Sequence, residues 1–152
     1  MGILANLTDE IKTAMRAKDS LRLEALRAIK SAVMLEQTSS AAGTTLTDEQ
    51  EIKLVQKLVK QRKDSAQIFN DQNRLDLAEP EEAQAKIIAE FLPAQLSEEE
   101  ITKIVGDIIA QTGAQGMKDM GKVMGMASKQ MAGTADGKTI STIDKQLQSY
   151  AV

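Results

Sequence analysis

Residues 57–100 read KLVKQRKDSAQIFNDQNRLDLAEPEEAQAKIIAEFLPAQLSEEE, and this stretch decides the fold. Its beginning is basic, since residues 53–63 carry five Lys or Arg and no acidic side chain. Its remainder is acidic, since residues 76–100 carry eight Asp or Glu against a single Lys. Pro80 suits the first turn of a helix, and Pro93 cannot continue one. The stretch therefore predicts the end of a basic helix, an acidic helix that starts near Pro80, and a break at Pro93.

Two further helices are predicted before this stretch. Apolar residues recur at helical spacing over residues 3–15, which predicts a first helix of about four turns. Asp19 or Ser20 is a suitable cap for a second helix. The small and polar residues 38–46 have no periodicity, so we predict a flexible loop there.

The third helix is predicted to be long. Thr47 and Gln50 have the spacing of a capping box, in which each side chain bonds to the other residue's backbone N–H. An apolar stripe continues from there towards Asn73, a length of roughly 40 Å at 1.5 Å per residue.

Three short helices are predicted after Pro93. Ser97 and Glu100 form a second capping box, and Gly113 stands where a helix-ending glycine is expected. Asp119 and Asp136 are suitable caps for the two helices that follow. The methionines of this region follow core spacing and are interpreted as core residues, Met117, Met120, Met124 and Met131.

The predicted fold class is therefore all-α. It consists of an N-terminal four-helix domain over residues 1–93, with a long third helix, and a small three-helix C-terminal tail domain over residues 97–152. Composition supports this prediction, because the chain has one Tyr, two Phe and no Trp, and aromatic residues are typical of strands.

Composition also limits the chemistry. The chain has no Cys and no His, which excludes disulfides, thiol nucleophiles, thiolate metal sites and imidazole bases. It has no run of about 18 apolar residues that would span a membrane and no secretory signal pattern before residue 20. We therefore expect a cytoplasmic protein that is not an enzyme and that uses no metal, cofactor or membrane.

Two motif-like stretches fail at decisive positions. Residues 116–123 approach a phosphate-binding loop, but Val123 stands where a Ser or Thr would ligate magnesium, and no strand is predicted before it. Residues 71–82 approach a calcium loop, but Leu75 replaces a ligand and Asp76 replaces the turn glycine. Both are interpreted as ordinary helix and turn residues.

Two groups of basic side chains are candidates for phosphate contact. The first lies in the tail and comprises Lys118, Lys122, Lys129, Lys138 and Lys145; the second lies on the third helix and comprises Lys57, Lys60, Arg62 and Lys63. Such a run is usually a solvated helix face, but it can also displace counterions from a phosphate backbone. Neither group is interleaved with aromatic residues, so base stacking is not predicted. Recognition of a folded RNA by its shape stays open.

Five motifs carry a resemblance to a known family. Residues 60–65 (KQRKDS), 73–77 (NRLDL), 91–97 (FLPAQLS), 119–125 (DMGKVMG) and 133–137 (GTADG) resemble the signature of the bacterial YqeY family. The resemblance spans essentially all 152 residues. It is specific as a set, although each motif alone is weak.

The resemblance implies a function. The YqeY family is similar to the C-terminal helical and tail region of GatB, which belongs to the tRNA-dependent amidotransferase, and that region helps to hold the tRNA. It implies a non-catalytic helical RNA-binding or adaptor protein whose partner is tRNA or a tRNA-handling complex. One alternative is a protein-interaction module that docks through the Met-lined tail or the long third helix. Another is an accessory of a carbon–nitrogen ligase that uses glutamine as amido donor.

Overall fold

The computed structural model describes residues 2–39, 45–114 and 116–150, apart from the side chains of Met117 and Tyr150. Over these residues the chain forms seven α-helices and one 3-10 turn and has no strand, so the predicted all-α class is confirmed. The helices are α1 (Leu7–Arg16), α2 (Ser20–Ser39), α3 (Asp48–Asp71), α4 (Leu75–Ala89), α5 (Glu98–Thr112), α6 (Met120–Gln130) and α7 (Gly137–Tyr150), and the 3-10 turn is Met117–Asp119.

The chain divides into two compact units. Met1–Pro93, the N-terminal unit, holds α1 to α4, and Ala94–Val152, the tail unit, holds α5 to α7. That each unit folds independently as a domain stays a proposal. None of the described helices combines the length and the apolar character that crossing a bilayer requires.

The core of the N-terminal unit lies where α1, α2, α3 and α4 meet. Leu26, Ile29, Val55 and Ile88 are fully buried there and come from three helices. Burying an aliphatic side chain of this size stabilises the fold by about 1.5–3 kcal/mol. The contacts are most extensive between α3 and α4, which form an antiparallel hairpin.

Both predicted capping boxes are present. Thr47 Oγ1 accepts from Gln50 N at 3.2 Å, and Gln50 Oε1 accepts from Thr47 N at 2.8 Å. Ser97 and Glu100 exchange the same two hydrogen bonds, each at 3.2 Å. Each box satisfies two N–H groups that would otherwise lack a partner at a helix start.

The start of α4 differs from the prediction. The helix begins at Leu75, so Pro80 lies in its second turn rather than its first. Asn73 adopts a left-handed φ of 60°, which reverses the chain between α3 and α4 within three residues. The short turn fixes where α4 starts, and the helix accepts the loss of the hydrogen bond that Pro80 cannot donate.

The first helix also differs from the prediction. It begins at Leu7, because residues 3–6 form turns, and Met15 is 52% exposed rather than buried. The predicted flexible loop 38–46 falls largely on residues 40–44, which lie outside the described residues.

The tail unit has its own core, formed by α5, α6 and α7. Val105, Val123, Met131 and Ile140 are at most 1% exposed there. Met120 and Met124 are half-buried, and the side chain of Met117 lies outside the described part of the chain. Gly113 ends α5 in the left-handed conformation at φ 66°, as its position predicts.

Candidate nucleic-acid interface

Two of the five candidate lysines of the tail lie on the outer face of α6, and a third precedes that helix. Helix α6 buries Val123 and Ala127 against its neighbours. Lys122 and Lys129 share one side of the helix, because they are seven residues apart, about two helical turns. That side faces away from the buried residues. Lys118 in the preceding 3-10 turn stands four residues before Lys122, close to the same line. All three lysines are exposed, and none forms an ion pair with a described residue.

Two glycines lie between these lysines. Gly121 and Gly125 are exposed, one turn apart on α6, and a Cβ atom built at either would meet no atom within 4 Å. Packing inside the chain therefore does not require glycine at either position. A glycine inside a helix costs about 0.5–1 kcal/mol relative to Ala. We call the surface formed by Lys118, Gly121, Lys122, Gly125 and Lys129 the Lys–Gly face. Because its two glycines have no side chain, the helix backbone between the lysines is accessible.

Helix α7 carries the other two tail candidates. Lys138 and Lys145 are exposed, two turns apart, and have no ion pair with a described residue. Lys138 follows the cap of α7, where Asp136 Oδ2 accepts from Thr139 Oγ1 at 3.2 Å and Asp136 Oδ1 from Lys138 N at 3.4 Å. Residues 113–152 contain five Lys and three Asp. The cap of α7 engages one of these Asp residues, Asp136.

A second Asp of this region is removed from the surface by burial. Asp144 on α7 is 0% exposed, and neither carboxylate oxygen has a hydrogen-bond partner among the described residues. Burial raises the pKa of Asp144, and the nearby Gln148 amide, which is not placed for a hydrogen bond with it, opposes that rise by a smaller amount. Gln148 is also 0% exposed, and neither polar atom of its side chain has a partner within the described part of the chain. The surface around α6 and α7 is therefore more positive than the residue counts suggest.

The buried pair Asp144 and Gln148 was not predicted from the sequence. Its signal is present, since both positions continue the spacing of four that starts at the buried Ile140. Polar residues in an apolar stripe are easily assigned to the surface, but in this structure both are buried.

The candidates on α3 do not form one face. Lys57, Lys60 and Lys63 are exposed, but Arg62 is half-buried and its Nε donates to Gln84 Oε1 of α4 at 2.9 Å. Arg62 Nε also lies 3.9 Å from Glu81 Oε2. Arg62 therefore joins α3 to α4 and points away from Lys57 and Lys60, from which it stands roughly half a turn around the helix.

Acidic neighbours also weaken the α3 group. Lys60 pairs with Asp64 at 3.6 Å, and Lys53 pairs with Glu49 at 3.1 Å, each one turn away on the same helix. Exposed pairs of this kind are typical of a solvated helix face. The α3 group therefore offers a phosphate fewer free cations than the Lys–Gly face does.

A charged clamp in the N-terminal unit is a further feature that sequence patterns did not indicate. Arg22 of α2 donates from Nη2 to Glu10 of α1 and from Nη1 to Glu90 at the end of α4, both at 2.7 Å. These two carboxylates raise the pKa of Arg22, Glu90 contributing more than Glu10. A shallow pocket of about 250 Å³ adjoins the clamp and reaches Pro93.

The described residues contain no group of three or more acidic, His or Cys side chains that could hold a metal ion. Residues 116–123 form no phosphate-binding loop. Gly116 starts a 3-10 turn at φ 81°, and Gly121 lies inside α6.

Comparison with known proteins places these features in a family context. The family model described as "Yqey-like protein" matches residues 4–147. The mitochondrial protein "Altered inheritance of mitochondria protein 41" of Lachancea thermotolerans is 38% identical over 111 residues, which cover 71% of this chain and 58% of that protein. Its namesake in Pyrenophora tritici-repentis is 29% identical over 136 residues, which cover 88% of this chain and 73% of that protein. The chain thus spans about three fifths of the first relative.

A third relative links the chain to amidotransferases. It is a component of the glutamyl-tRNA(Gln) amidotransferase of Thermococcus gammatolerans and is 38% identical over 68 residues, which cover 42% of this chain and 11% of that protein. The match supports the expected relationship between Yqey-like proteins and components of amidotransferases. It concerns only a small part of the larger protein.

The comparisons correct one prediction. The expected cytoplasmic location is wrong, because four relatives, all of them fungal, are named as mitochondrial proteins and point to mitochondria instead. The absence of an early signal pattern misled the prediction, since such a pattern reports only on secretion. The same fungal relatives give no support to the expectation that the chain is bacterial.

Proposed function

We infer a function from the premise that this chain belongs to the family of Yqey-like proteins. We propose that it is a non-catalytic adaptor that binds RNA, with tRNA as the preferred class, through the tail unit. The observation that carries the proposal is the Lys–Gly face, where three exposed lysines, none of them paired with an acidic side chain that the structure describes, flank two glycines that internal packing does not require.

The chemistry of this face suits a phosphate backbone. Each ammonium group can displace one counterion from a phosphate, and several such contacts supply affinity without reading bases. The glycines let phosphate oxygens come close to the helix, because no Cβ atom stands between the lysines. The described residues of the tail unit expose no aromatic side chain for base stacking, which favours folded RNA over single strands.

The amidotransferase relative supports the choice of tRNA. Its name contains a tRNA substrate, and its similarity to this chain reaches 42% of the chain. The proposal transfers only RNA binding from that relative to this chain. The names of the family and of the mitochondrial relatives do not indicate a catalytic enzyme.

The proposal is tested by measuring the binding of a labelled tRNA transcript to the full chain at several salt concentrations. If all five tail lysines contact phosphate, affinity should fall several hundredfold between 50 mM and 200 mM salt, since the slope is about −0.9 per contact. Lys122→Glu should weaken binding and make the salt slope shallower by about one. Lys103→Glu is the matched control, because Lys103 is exposed on α5 of the same unit.

Two results would contradict the binding of RNA phosphates through the Lys–Gly face. One is affinity that does not depend on salt; the other is an equal loss of affinity in the Lys103 and Lys122 variants. An unlabelled single-stranded RNA of equal length serves as competitor, and we expect it to compete less well than tRNA.

The accessory role in carbon–nitrogen ligation is a weaker proposal. It rests on the amidotransferase name of one relative. It requires that adding this chain to a complete amidotransferase increases its rate or its affinity for tRNA, which a transamidation assay measures directly.

A further inference from the structure

A groove runs along the α3–α4 hairpin of the N-terminal unit. Its volume is about 460 Å³. Each helix contributes four residues at the spacing i, i+3, i+4 and i+7, so the groove follows one face of each helix for two turns. A groove of this form has the length and shape that two turns of another helix need.

The floor of the groove is apolar and lacks large side chains. Ala66 of α3 and Ala85 of α4 are each 3% exposed, and Ala89 is half-buried beside them. Alanines let the two helix backbones approach, and they leave no side chain to fill the space above. Side chains of a third helix can enter between the two rims, as ridges enter grooves in helix packing.

The rims of the groove carry two lysines and one glutamate. Glu82 accepts from Asn70 Nδ2 at 3.3 Å, so its carboxylate already has a partner on the opposite rim. Gln67 donates to Asp71 of its own helix at 2.9 Å. Lys63 and Lys86, one on each rim, form no ion pair with any described residue.

We propose that this groove binds an acidic amphipathic helix of a partner protein. Small or aliphatic side chains of that helix lie over the alanine floor, and its Asp or Glu residues pair with Lys63 and Lys86. The apolar floor favours a helix laid in a groove, and the two lysines without an ion pair to a described residue select for carboxylates. The apolar floor also disfavours a phosphate backbone, which has no apolar surface to pack against it.

The inference goes beyond RNA binding, because it assigns a protein partner to the other unit of the chain. The sequence also left open that a protein partner docks on the long third helix, and the groove is the surface that we propose for such docking. Failure of the groove proposal would not affect the RNA-binding proposal, nor the reverse, since no residue of the groove belongs to the Lys–Gly face.

The test titrates a synthetic helical peptide into the full chain labelled with ¹³C at its alanine methyl groups. The peptide carries two Leu one turn apart, flanked by Glu, and a twin peptide has Gln in place of every Glu. We expect the Glu peptide to shift the signals of Ala66, Ala85 and Ala89. The Gln twin should bind at least several times more weakly, and added salt should weaken the Glu peptide alone.

Charge reversals on the rims complete the test. Lys63→Glu and Lys86→Glu should each weaken binding of the Glu peptide roughly fivefold, the scale of one exposed ion pair. Both side chains are exposed, so the variants should fold. Lys57→Glu is the matched control, because Lys57 is exposed on the same helix but does not line the groove.

Four results would overturn the proposal. They are equal binding of both peptides, equal loss in the Lys57 variant, RNA that shifts the groove methyl signals, and a dimer of the free chain that Lys63→Glu dissociates. The last would show that a second copy of the chain occupies the groove.

Discussion

Replacing Asp144 with Asn should stabilise the tail unit. The Asp144 carboxyl is fully buried, and neither oxygen has a hydrogen-bond partner in the part of the chain that the structure describes. At neutral pH the folded chain must keep a charge in the core or take up a proton, and both cost free energy. Asn has nearly the same shape and no charge. An unsatisfied buried polar group costs about 1–3 kcal/mol, and a charged one costs more. We therefore expect a gain of about 1–2 kcal/mol at pH 7.

The dependence on pH gives a sharper check of the same substitution. The folded-state pKa of Asp144 is raised above its ordinary value near 3.8. Its contribution to stability is therefore fully present below that value and is lost as pH rises through the raised pKa. The advantage of Asp144→Asn should be small near pH 4 and should grow as pH rises through the raised pKa.

Urea unfolding followed by the amide NMR signals of the tail unit measures this effect. A gain of 1–2 kcal/mol also corresponds to a rise of roughly 5–15 °C in melting temperature for a unit of this size. Asp107→Asn on the exposed side of α5 is the control and should change little. A loss of stability that is equal at pH 4 and pH 7 would refute the reasoning, because it would mean that the carboxyl has a partner.

Three other substitutions test separate features of the chain. The double variant Gly121→Ala and Gly125→Ala should raise the unfolding free energy by about 1–2 kcal/mol, since both sites have room for a methyl group. It should nevertheless weaken tRNA binding, and a variant that gains stability and keeps its affinity would argue against close approach at the Lys–Gly face. Arg22→Met should cost about 1 kcal/mol through loss of two partly exposed ion pairs, with a smaller cost in high salt, whereas Arg27→Met on the same helix should cost less. Ser97→Ala should cost about 1 kcal/mol in thermal unfolding by removing a cap of α5, and the exposed Ser128→Ala should not.

Local signals in the sequence predicted most of the helices. Both capping boxes and the glycine at position 113 were predicted correctly, because each acts through bonds within one turn of helix. Pro80 misled the prediction for α4. The left-handed turn at Asn73 sets the start of that helix, and α4 continues through Pro80 despite the lost hydrogen bond and the contact of the ring with the carbonyl four residues earlier.

Features that depend on contacts distant in sequence were not predictable. The clamp at Arg22 joins residues 68 positions apart, and nothing near Arg22 in the sequence indicates Glu90. Arg62 looked like a surface cation, but α4 provides a partner for it in Gln84. The exposed tail lysines remain candidates on the strength of resemblance and geometry together.

The clamp at Arg22 also has a consequence for synthesis of the chain on the ribosome. Helices α1 and α2 emerge before α3 and α4, and Arg22 cannot meet Glu90, nor Leu26 pack with Ile88, until more than sixty further residues have been translated. The α3–α4 hairpin needs only a turn of three residues, so it can form as soon as it emerges, because local contacts form fastest. We therefore expect the apolar faces of α1 and α2 to stay exposed on the nascent chain until the folded α3–α4 hairpin packs against them. During that interval it would depend on chaperones or the ribosome surface for protection.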